Sequence, residues 1–228
     1  MKIKDPLVKG VVKQIKPFIY GVSVKNKYDR AMLFCRYQEF YESPFKNIRG
    51  KYFTWAEFMK TYIKERKLDS FTYPHDWSGY NIPSDILEKG VDKFYKETEY
   101  DVIMNNIYFH CANDSMQCND GTRTKFYLIG YGDDKDNDLI LNHEIAHGFY
   151  FTNKKYKLEM DQLVSNIARK DYKKFKKQLI KMGYADDTKI IDDEIQAFMS
   201  TGLYNELATK EFKCYQKDFV KVFNMYIK

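Results

Sequence analysis

The stretch DNDLILNHEIAHGFYF, residues 136–151, decides how this chain is read. Leu139, Ile140, Ile145, Ala146 and Phe149 recur at helical spacing and suit a buried helix, with Asp136 or Asp138 as its N-cap. At about 100° per residue, His143 and His147 point about 40° apart, and Glu144 falls on the same side. Two imidazoles one turn apart can hold one zinc ion, and the carboxylate beside them can reach its water. The chain contains four His and 12 Glu, so chance accounts for roughly 0.004 such patterns.

Outward from that helix, the chain reads as α+β. FIYGVSV, residues 18–24, is rich in aromatic and β-branched residues and predicts a strand. Asp29 is expected to cap a helix running to about Tyr41, which Ser43-Pro44 stops. Thr54 and Glu57 form a capping-box pattern that opens a helix to about Lys67. FTYPHDWSGYNIP, residues 71–83, reads as an aromatic loop, and Ser84 as the cap of a helix to about Glu97. Asp101–His110 and Thr124–Tyr131 read as two strands. Beyond about Thr152 everything reads as helix: Leu158–Met182, broken near Asp171, then Lys189–Ser200 and Leu207–Tyr226. The expected organisation is an N-terminal α+β lobe with a small mixed sheet over 1–152, ending in the HExxH helix. A helical lobe follows over 153–228.

Composition narrows the class. The 228 residues are 44% hydrophobic and 17% aromatic, enough for a packed core and too apolar for a disordered chain. No window of 18 residues is free of charge, so no membrane-spanning helix and no membrane partner is expected. The N-terminal stretch MKIKDPLVKGVVKQIKPF carries Lys every few residues and no apolar run of signal-peptide length, so a cytoplasmic location is expected, or release by a route that leaves no signal here. The net charge is +6, carried by 32 Lys and only 6 Arg, a poor balance for reading phosphates. The densest run, residues 170–181, places Phe175, Leu179 and Ile180 at helical spacing and reads as a helix with a solvated lysine face. A nucleic-acid partner is the less favoured reading of that run. Cys35, Cys111, Cys118 and Cys214 form no C-x-x-C pair and are expected to be reduced and either buried or indifferent, with nothing to support a metal role for Cys111 and Cys118.

His143-Glu144-Ile145-Ala146-His147 resembles the active-site helix of the zincin metallopeptidases. The resemblance covers about Lys125–Thr152 and one later helix. The metzincin branch places Gly and His where this chain has Tyr150 and Asn153, and the EGCLS context of peptide deformylases is missing around Cys111 and Cys118. What remains resembles the gluzincins, in which a Glu on a later helix completes the site. That resemblance points to Glu194, in IIDDEIQAF, with Asp192 and Asp193 as weaker ligand candidates and better acceptors for an imidazole N–H. It implies a zinc-dependent metallopeptidase, with His143, His147 and Glu194 on the metal and Glu144 as general base toward a zinc-bound water. An oxyanion donor is also required, and His75, Tyr131, Tyr150 and Tyr204 are the candidates. The strand 125–131 is expected to bind extended substrate by its free edge. The implied partner is a peptide or protein substrate of narrow range, cut internally rather than at a terminus. Two other readings are a non-catalytic, zinc-containing interaction protein and a lysine-rich nucleic-acid-binding protein. Retention of Glu144 speaks against the first, because structural zinc has no use for a general base.

Overall fold

A computed structural model describes residues 10–77, 79–94, 98–117, 125–132 and 137–228. The chain is α+β, with a small four-stranded sheet and many helices, and it forms two compact units, Met1–Asn137 and Asp138–Lys228. The division falls before the HExxH helix and not after it, as the sequence reading had it. Phe149 explains the difference: its ring packs on Tyr156, Phe223 and Tyr226, so the helix belongs with the C-terminal helices.

In the N-terminal unit, β1 (Gly10–Lys16) and β2 (Ile19–Val24) form an antiparallel hairpin. β3 (Tyr80–Pro83) and β4 (Tyr127–Tyr131) complete the sheet in the order β1-β2-β4-β3. β4 runs parallel to β2 on one side and antiparallel to β3 on the other. Both its edges are taken, so the expected strand addition of a substrate to 125–131 is corrected. A strand flanked on both sides has no free N–H and C=O row to offer.

Helix α1 (Lys27–Glu42) is capped by Asn26, whose side chain accepts from the Asp29 N–H, so the cap lies three residues earlier than expected. α2 (Trp55–Arg66) opens on the anticipated capping box, Thr54 and Glu57 bonding reciprocally. The aromatic loop contains a short turn of helix, α3 (Tyr73–Asp76), and then β3. α4 spans Ser84–Phe94. The largest correction is α5, a helix over Glu99–Gln117 where a strand over 101–110 was expected. Its β-branched and aromatic residues suggested a strand over ten positions. The longer window shows buried Asp101, Met104, Tyr108, Cys111 and Ser115 at helical spacing. Thr98 and Asp101 also form a reciprocal cap at its start. Around these elements stands an aromatic core that includes Phe34, Tyr37, Phe53, Phe58, Tyr62, Tyr73 and Phe94.

The C-terminal unit contains the rest of α6 (Asn137–Thr152), then α7 (Lys154–Ser165), α8 (Arg169–Met182), α9 (Thr188–Thr201) and α10 (Lys210–Tyr226). Of the two expected α6 caps, Asp136 lies outside the described residues and Asp138 sits in the first turn. The helix expected over 158–182 breaks at 166–168, not near Asp171. Asp171 is instead buried in the first turn of α8, where it accepts from the Tyr215 hydroxyl at 2.8 Å. α8 buries Phe175 and Leu179, while Lys170, Lys173, Lys177 and Ile180 face outward. α9 is the most buried helix of this unit: Glu194 through Ser200 are all buried. Among the described residues, no helix is long and apolar enough to cross a membrane.

Candidate metal centre

The i, i+4 spacing on α6 brings the His143 and His147 rings to 4.8 Å, with their Nε2 atoms 3.2 Å apart. α9 supplies the third group. Glu194 Oε2 lies 3.6 Å from His143 Nε2, and Oε1 lies 3.6 Å from His147 Nε2. Among the described residues, these three form the one group of metal-ligand type, with ligand atoms within 4.8 Å of one another. All belong to the C-terminal unit.

The tautomers follow from what backs each ring. His147 Nδ1 lies 2.8 Å from Asp193 Oδ1. His143 Nδ1 lies 3.4 Å from Thr201 Oγ1, whose own hydrogen is donated to the Ala197 carbonyl at 2.8 Å. Both acceptors leave the hydrogen on Nδ1, so both Nε2 lone pairs are directed into the space that Glu194 faces. Two lone pairs at 3.2 Å beside a carboxylate repel one another unless a cation or proton sits among them. Glu194 Oε2 sharpens the point, being buried with no hydrogen-bond partner.

A tetrahedral zinc ion fits this donor set. With Zn–N near 2.05 Å, the edge between two ligand atoms is about 3.3 Å, close to the 3.2 Å between the two Nε2 atoms. The field favours positive charge as well. Burial opposes protonation of His147, yet the carboxylates of Asp193, Glu194 and Glu144 outweigh it and hold its pKa well above the ordinary histidine value. The imidazoles and carboxylate also suit zinc by chemical type.

Glu144 is buried on α6 beside the two histidines and does not belong to the ligand group. Tyr204 follows α9, half exposed, its ring 5.3 Å from Phe198, which in turn lies 4.6 Å from His143. Burial, Glu194 and Glu144 push its hydroxyl up to about 12, so it remains a proton donor at neutral pH. Tyr150 is engaged elsewhere, its hydroxyl donating to Asp161 and Lys157 Nζ lying 3.7 Å over its ring. Asp192 accepts from the Tyr172 hydroxyl at 2.8 Å, leaving Asp193 alone as the acceptor behind His147.

His75 and Tyr131 belong to the N-terminal unit. His75 is exposed on α3, its backbone carbonyl accepting from Lys27 Nζ at 3.1 Å, and Tyr131 ends β4. His110 lies on α5, and Cys35 and Cys111 are buried free thiols, whereas Cys118 lies outside the described residues. Sequence reasoning missed Thr201. The available signal was its position two turns after Glu194 on the same face of α9. Comparison of the chain with protein-family models, with curated proteins and with solved structures finds no match.

Proposed function

We propose that this chain is a zinc-dependent metallopeptidase of the zincin type, gluzincin-like, that hydrolyses internal peptide bonds of a narrow range of substrates. The observation that carries the proposal is the buried Glu194 carboxylate, whose two oxygens each lie 3.6 Å from an imidazole Nε2 and whose Oε2 has no hydrogen-bond partner, with Glu144 beside the histidines and not among the ligands. His143, His147 and Glu194 would hold the ion. Zinc bound there supplies Lewis acidity and lowers the pKa of water to about 7. Glu144 takes a proton from the attacking water as oxygen bonds to the carbonyl carbon. It returns that proton to the amine nitrogen as the C–N bond breaks, leaving a carboxylic acid and an amine. The Tyr204 O–H donates a hydrogen bond toward the oxyanion. The Tyr204 hydroxyl feels the charge of both Glu194 and Glu144.

The test is zinc content per chain by elemental mass spectrometry, together with cleavage of a proteome-derived peptide library. Wild type is expected to hold near one zinc. Glu144→Gln should retain that zinc and lose activity by ~10²–10⁴-fold. Tyr204→Phe should lower kcat by about 10²-fold with the metal retained. No zinc after reconstitution, or full activity in Glu144→Gln, refutes the reading. Cleavage without sequence preference refutes the narrow range.

A further inference from the structure

Behind the metal ligands, a buried hydrogen-bond chain continues to a third helix. The Tyr156 hydroxyl on α7 donates to Gln196 Oε1 at 3.0 Å, and Gln196 Nε2 donates to Asp193 Oδ1 at 2.9 Å. The same carboxylate oxygen lies 2.8 Å from His147 Nδ1. Tyr156 and Gln196 are both fully buried, so no bulk water can replace either bond. Tyr156 is clamped in turn, its ring 5.5 Å from Phe149 and 5.1 Å from Tyr226.

Chemistry sets the direction of every link. A carboxylate only accepts, so the Gln196 amide must turn its nitrogen toward Asp193; the flipped amide would put oxygen against oxygen. That leaves Gln196 Oε1 facing Tyr156, which has a hydrogen to give. Burial keeps the phenol protonated, raising its pKa, and the nearby Asp193 adds to the effect. With both ends defined, the Asp193 oxygen can receive only a hydrogen from His147, which fixes a hydrogen on Nδ1 and leaves Nε2 as the nitrogen that faces the metal-ligand group. Among the described residues, His143 Nδ1 is backed by the Thr201 hydroxyl at 3.4 Å, a longer contact than the 2.8 Å behind His147.

We propose that Tyr156 and Gln196 are positioning residues: they lock the Asp193 carboxylate and, through it, hold His147 as the anchoring metal ligand with its hydrogen on Nδ1. The proposal rests on the metal-centre reading above, and two readouts separate the two. Zinc affinity is measured by chelator competition for wild type, Gln196→Met, Tyr156→Phe and the double variant. The low-field His147 Nδ1–H resonance is followed by proton NMR in metal-free, ¹⁵N-histidine-labelled protein.

Gln196→Met is expected to weaken zinc binding about 10-fold. Tyr156→Phe should weaken it less, and the double variant should bind no more weakly than Gln196→Met, because both act along one chain. The resonance should move or broaden in every variant. Zinc affinities unchanged in both single variants overturn the proposal, as do losses that multiply in the double variant, which would signify independent packing damage. If Gln196→Met fails to fold, Tyr156→Phe, which removes one atom, decides the question alone. If wild type binds no zinc, the metal-centre reading falls and the resonance decides: a shift in the variants upholds the relay, and an unchanged signal overturns it.

Discussion

Glu39 in the N-terminal unit and Glu194 in the C-terminal unit pose the same physical problem and answer it differently. Both are buried, and both have an Oε2 atom with no hydrogen-bond partner. Glu39 sits on α1 against an aromatic core. Burial there raises its pKa from 4.5 to about 7, partly offset by the hydroxyls of Ser43 and Tyr73 and by Arg66. A proton is enough to relieve it. Glu194 instead faces two imidazole nitrogens whose hydrogens are committed to the far sides of their rings. The three groups together can hold a metal ion, and the same carboxylates hold the His147 pKa well above the ordinary histidine value. A buried carboxylate is therefore not a site by itself; what its neighbours have left unbonded makes it one.

Arg36 and Asp101 form a buried ion pair that meets the same problem with opposite charges, Arg36 Nε being left without a hydrogen-bond partner among the described residues. Arg36 donates to Asp101 at 3.0 Å and to the Phe53 carbonyl at 2.6 Å, while Asp101 Oδ2 also accepts from the Thr98 N–H and hydroxyl. Arg36→Met should remove the cation from a buried carboxylate and cost about 3–5 kcal/mol, measured by urea unfolding. A cost below about 1 kcal/mol would show that Asp101 does not depend on Arg36 for its charge balance.

Glu39 gives the next largest effect. Its folded pKa lies above the unfolded value, so between pH 4.5 and about 7 the folded chain keeps a proton that the unfolded chain releases. Its contribution is fully present below pH 4.5 and is lost as pH rises through 7, a change of about 3 kcal/mol. Glu39→Gln should flatten the pH dependence of stability in that window relative to wild type. Parallel curves for the two proteins would mean that Glu39 ionises normally.

The metal is expected to act on the other unit. Zinc at about 100 times its Kd should stabilise the C-terminal unit by about 2.7 kcal/mol. Hydrogen exchange should show the protection on α6 and α9, with α1 and α5 unchanged. Glu194→Gln should abolish the effect. Protection that appears equally in both units would break the contrast between Glu39 and Glu194.

Much of the site was legible because its signals are local. HExxH depends only on the 3.6-residue turn, which sets His143, Glu144 and His147 on one side whatever surrounds them. The capping box at Thr54 and the strand at 19–24 were readable for the same reason. The failures came where neighbours decide. α5 carries Val102, Ile103, Ile107, Tyr108 and Phe109, which favour strands, yet it is a helix because its buried positions repeat every three to four residues against a core supplied by other elements. β4 reads as a strand, but nothing in its own residues says that β2 and β3 occupy both its edges.

The sequence by itself determined the pair of histidines, the carboxylate between them and the helix that carries them, since one helical turn supplies all the geometry they need. Only the tertiary structure decided that Glu194, 47 residues beyond His147, meets their nitrogens, that Asp193 and not Asp192 stands behind His147, and that Thr201 stands behind His143. The reason is physical. Periodicity specifies which face of a helix a residue occupies, whereas packing between helices specifies what that face meets.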